Sequence, residues 1–146
     1  MKKKIGTLLV AGILAMTSLF ANGNEISKNA QATFATDFAK ATEVKWDKED
    51  DYYKASFKLN GQSLNALLSE EGNLIAVSRN ILSTELPVSL QLSLGKIQST
   101  DWITALTEYA VDNETRYFIT LENADYKVVF ENAGTYDWLL VKKIAK

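Results

Sequence analysis

The chain has 146 residues, 47% of them hydrophobic, with 16 basic and 18 acidic residues and neither histidine nor cysteine. A formal charge of −2 gives no electrostatic reason to expect nucleic acid, and the missing His and Cys remove the usual general base, the commonest zinc ligand and the thiol nucleophile. No G-x-S-x-G elbow and no phosphate-cradling glycine loop compensates, so the expectation is a protein that is not an enzyme and carries no cofactor.

Lys2, Lys3 and Lys4 precede an apolar run from Ile5 to Phe20, and Ala21 offers a small residue for cleavage, which reads as a secretory signal over residues 1–21. The run contains Gly6 and Gly12 and falls short of the roughly 20 residues that span a bilayer. Cleavage leaves 125 of the 146 residues and no stable membrane insertion. It also removes three lysines, taking the formal charge from −2 to −5. An exported chain without cysteine has no disulfide staples and no lipid-anchor cysteine, so it is expected in the periplasm or secreted, as a monomer or weak dimer.

Residues 22–29 are polar and expected to be a disordered linker. Phe34 and Phe38, four apart among alanines and threonines, predict a short amphipathic helix over 30–41. From Tyr53 the alternation is strict, with Tyr53, Ala55, Phe57 and Leu59 on one face and Lys54, Ser56, Lys58 and Asn60 on the other. Asn60-Gly61 is a two-residue hairpin signal, and Glu71-Gly72-Asn73 closes the next hairpin. Four antiparallel strands follow, at about 43–49, 52–60, 63–69 and 73–80.

After Ser83, Thr84 and Glu85, Pro87 opens a helix carrying Leu90 and Leu94, with Gly95 expected to end it early. The run VSLQLSL also alternates as a strand would, but its place in a repeat favours the helix. Sliding Leu64–Ile81 by 62 residues lays Gly72 on Gly134, Leu64 on Tyr126 and Leu68 on Phe130. The same offset lays Phe57 on Ile119 and Leu59 on Leu121. A helix-plus-four-strand unit is thus duplicated in tandem, over 30–81 and 82–146, giving an α+β fold.

Two leads to function come from the residues. The acids Asp47, Glu49, Asp50 and Asp51 crowd one hairpin tip, where phase assigns Tyr53 to the core and leaves Tyr52 outward with Asp50 and Asp51. They make a poor EF-hand, because the twelfth position from Asp47 is Lys58 and not glutamate, so no metal is expected. The nominal outer face is unusually apolar: Tyr52, Leu67, Val77, Phe118, Val129 and Val141 fall out of phase with the core. Lys54, Lys58, Arg79, Arg116 and Lys127 rim them, as on a protein-binding face. Trp46, Trp102 and Trp138 have bulk to bury and belong to the core or its rim. A small-ligand carrier using the cleft between the repeats is the alternative of a different class.

The stretches Val44-Lys45-Trp46, Asp51 to Phe57 and the hairpin Gly72 to Ser78 resemble the PepSY-like, beta-lactamase-inhibitor-like periplasmic proteins, over essentially the whole mature chain. The resemblance implies two tandem helix/sheet units forming an eight-stranded, often concave sheet with helices on one face, and neither activity nor cofactor. Asp51-Tyr52-Tyr53 is similar to the Gly-Asp-Tyr-Tyr hairpin that the name-giving inhibitor inserts into an enzyme cleft, with Asp50 in place of the glycine. A protein or peptide partner is implied, a hydrolase among the candidates.

Overall fold

The computed structural model describes residues 25–146. The expected signal, 1–21, and the first residues of the expected linker lie outside them. Eight strands form one open antiparallel sheet in the order β1 to β8, each beside its neighbour in sequence. The chain divides into two compact units, the second beginning at Ser78. Each unit places a helix ahead of its hairpins.

In the first unit, α1 (Lys28–Asp37) is followed by β1 (Thr42–Lys48), β2 (Tyr53–Leu59), β3 (Gln62–Leu68) and the start of β4 (Leu74–Asn80), whose residues from Ser78 onward belong to the second unit. The helix begins two residues before its expected start because Ser27 caps it, accepting from the Ala30 amide at 3.0 Å. Ile26 packs on the core beneath. The lead-in expected to be disordered is therefore structured from Ile26 onward, since capping gives its polar residues a partner.

Phe34 sits with its ring centroid 5.2 Å from Phe38, 5.2 Å from Trp46 and 5.0 Å from Phe57. This cluster, with Tyr53, Ala55, Ala66 and Leu68, is the core. The strand phase read from the sequence is the observed one: Ala55 pairs with Ala66 and Phe57 with Leu64, all on the helix side. Asn60 (φ 52°) and Gly61 (φ 80°) make the predicted turn.

In the second unit, a 3₁₀ turn (Ser83–Glu85) precedes α2 (Val88–Ile97), and then come β5 (Trp102–Val111), β6 (Glu114–Glu122), β7 (Tyr126–Ala133) and β8 (Leu139–Ala145). Gly95 does not end the helix, which runs on to Ile97. Leu86, Leu90 and Leu94 pack on Leu106, Ile119, Leu121 and Trp138. Trp138 and Trp46 take the expected core and rim places, but Trp102 is 67% exposed. It opens β5 one residue before the register shift at Ile103/Ala105. A shift in β1, between Thr42 and Lys45, repeats this feature in the first unit.

Candidate functional site

The β1–β2 tip is four residues, Glu49 to Tyr52, closed by the Glu49 amide donating to the Tyr52 carbonyl at 2.9 Å. In a meander, alternate hairpins turn at the same end of the sheet. The β3–β4 tip, Ser69 to Asn73, therefore stands beside the first, as the pairing of Tyr53 with Leu68 requires. Between them lies a hollow of about 190 Å³ lined by Lys48, Glu49, Asp50, Asp51, Tyr52, Tyr53, Glu70 and Glu71. Five acidic residues and one lysine are among those lining residues.

Local packing fixes the second tip. The Thr33 hydroxyl donates to the Gly72 carbonyl at 2.7 Å and the Ser27 hydroxyl to the Glu70 carbonyl at 2.8 Å. Gly72 has φ +92°, and a Cβ there would stand 2.8 Å from the Asn29 backbone, so only glycine lets the turn lie against α1. A hydrogen bond from Ser69 holds the Glu71 carboxyl below its ordinary range. In the first tip, Lys54 leans over Asp47 at 3.5 Å and Glu49 at 3.7 Å, and Lys48 stands 5.9 Å from the centre of the Tyr53 ring. Among the described residues no three acids converge closely enough to hold a metal ion.

Of the expected site residues, Asp50 and Asp51 are exposed at the tip. Tyr52 is not outward: it is 8% exposed, because it belongs to the tip and not to β2, so strand phase does not govern it. The expected apolar outer face is not a free surface either, since Leu67, Phe118 and Val129 are 4%, 2% and 0% exposed. Phe118 lies under the edge-on ring of Tyr109, 5.4 Å away, and Val129 stands beside the buried Thr120. Both faces of the sheet bury side chains.

Arg79 turns to the helix side, 2.8 Å from Glu108 and 3.2 Å from Glu85, and the Glu108 bond raises its pKa. Arg116 pairs with Glu131 at 3.2 Å and Glu114 at 3.7 Å. The structure thus brings Asp50, Asp51 and Tyr52 together and leaves Lys54 at their edge, while Arg116, Phe118 and Val129 share one face of β6 and β7 and Leu67 and Arg79 stand on β3 and β4. Sequence reasoning missed Glu70 and Glu71, although the meander order it predicted already placed their turn at the same end. Ser93 and Lys96 spell S-x-x-K, but the buried Ser93 hydroxyl donates to the Leu90 carbonyl at 3.1 Å inside α2, while Lys96 is exposed.

No family model and no curated protein matches the chain. Solved structures do. A DUF2874 family protein from Bacteroides ovatus superposes with a TM-score of 0.71 at 21% identity, over 84% of this chain and 89% of the other. A BLIP-like protein from Bacteroides fragilis gives 0.64 at 17%, over 85% and 89%. The fold is shared with these proteins. A periplasmic-type protein from Bacteroides eggerthii gives 0.71 at 12%, over 84% and 90%. At such identities the likeness concerns architecture, and among the described residues no helix is long and apolar enough to cross a membrane.

Proposed function

We propose that this is a non-catalytic, periplasmic or secreted binding module that holds a protein or peptide partner by a basic segment. The observation that carries this reading is the hollow between two hairpin tips, ringed by Glu49, Asp50, Asp51, Glu70 and Glu71. Its carboxylates form a diffuse field suited to a lysine or arginine side chain, whose charge sits on a long apolar stem. Tyr52 and Tyr53, both largely buried, line the same hollow between the two acidic tips. The signal-like N-terminus and the periplasmic-type and BLIP-like neighbours support the location and the kind of partner, within the PepSY-like resemblance. The absence of His and Cys supports a role without chemistry.

The test is capture from an envelope extract by immobilised protein, wild type beside an Asp50→Lys/Asp51→Lys variant. The specific partner is expected to fall at least tenfold in yield with the variant. A partner retained equally by both places binding elsewhere and ends this reading.

A further inference from the structure

The hollow between the two tips of the first unit already contains a cation of the chain's own. Lys48 ends β1 and pairs in register with Tyr53, the first residue of β2, so the two side chains share one face of the sheet. The Lys48 Nζ stands 5.9 Å from the centre of the Tyr53 ring, inside the range of a cation–π contact. Tyr53 is buried in the core, whereas Lys48 is exposed at the end of an edge strand. Both line the hollow. The strand register therefore delivers an ammonium into an acidic concavity.

The acids around Lys48 do not capture it. Glu49, Asp50, Asp51, Glu70 and Glu71 line the same hollow, and among the described residues only Glu49 of these is ion-paired, to Lys54 at 3.7 Å. Lys54 and Lys58 on β2 stand 3.5 and 2.9 Å from a carboxylate, whereas Lys48 forms no ion pair among the described residues. Contact with a ring face at an exposed site shifts an equilibrium by only about two- to fivefold, so the ammonium is held loosely. Its flexible four-carbon stem can carry it out into solvent.

We propose that Lys48 is an autoinhibitory stand-in for the partner's basic side chain: in the free protein its ammonium occupies the hollow, and a lysine or arginine of the partner enters by displacing it. This rests on the hollow being the site of a basic segment, as proposed above. Two like charges repel at such close quarters, so entry of one drives out the other. A neutral side chain can neither expel Lys48 nor compensate the acids it leaves, so Lys48 sets the affinity and also selects for a cation.

Nuclear magnetic resonance titration tests this with the peptide acetyl-Lys-Lys-Lys-amide, at about 0.1 M ionic strength, where charges more than ~10 Å apart are largely screened. Lys48→Met is expected to bind the peptide about fivefold more tightly than wild type, with an unchanged circular dichroism spectrum. Lys45→Met removes the same charge from the same edge strand, about 10 Å away and outside the hollow, and is expected to change the affinity less than twofold. In the wild type, the Lys48 methylene resonances, shifted by the Tyr53 ring in the free protein, are expected to lose that shift as the peptide binds. Equal affinities of wild type and Lys48→Met, equal gains from the two variants, or Lys48 resonances that stay in place on binding would each overturn the proposal while leaving the hollow as the site. A peptide that binds none of the three proteins would end both.

Discussion

Gly72 and Gly134 occupy equivalent turns, 62 residues apart, and both have positive φ, at 92° and 72°. Only Gly72 also presses on a backbone, at 2.8 Å from Asn29, whereas a Cβ at Gly134 meets nothing. Gly72→Ala should therefore cost about 2–3 kcal/mol in denaturant unfolding, and Gly134→Ala about 1 kcal/mol. Similar losses at both positions would show that the α1 contact contributes nothing. Tyr109 is a second residue whose environment the sequence conceals: burial pushes its phenol up to about 12. An unfolded tyrosine ionises near pH 10, so between pH 10 and 12 the unfolded state releases a proton that the folded state keeps. Stability should fall through that window by about 2 kcal/mol. Tyr109→Phe should flatten this alkaline loss in denaturation curves taken at stepped pH. Alternation placed Tyr53 correctly on the inner side and Leu67, Phe118 and Val129 on the opposite face, yet it left those three and Tyr52 exposed, and all four are buried. A phase rule sorts the two faces of a strand but does not say that both are covered.

At the scale of the element, strand limits were legible to within a residue or so in the first unit, because period-two alternation and the Asn-Gly turn agree there. In the second unit another two-residue turn, Asp112-Asn113 between β5 and β6, has φ of 46° and 66° and closes its hairpin without a glycine. Asn and Asp tolerate the left-handed region, so that signal was present in the sequence but weaker. Helix α1 shows what composition hides. Ser27 caps the helix at the Ala30 amide and also donates to the Glu70 carbonyl, tying the helix start to the second tip. Ser27→Ala should lose about 1–2 kcal/mol of unfolding free energy. Because the tip is fixed from this side, partner capture by the variant should also weaken; unchanged capture would show that Glu70 needs no such anchor.

On the scale of the whole molecule, each unit rests on its own cluster, and no disulfide assists. The first is centred on Phe34, which meets three other aromatic rings. Phe34→Ala should cost about 3–5 kcal/mol, enough to unfold a marginal unit, as seen in the near-ultraviolet spectrum. The acidic tips act through solvent-exposed charge, so capture of a basic partner should decline steeply as salt is raised from low to physiological strength. Salt-independent capture would point to an apolar surface instead. By itself the sequence determined the α+β class, the duplicated helix-and-meander order and the strand phases, because hydrophobic period and turn chemistry are local properties of the chain. Tertiary structure alone decided which out-of-phase residues are buried, that Glu70 and Glu71 share a hollow with Asp50 and Asp51, and that Gly95 faces open space. Those facts depend on contacts between residues far apart in the chain, which no local period records.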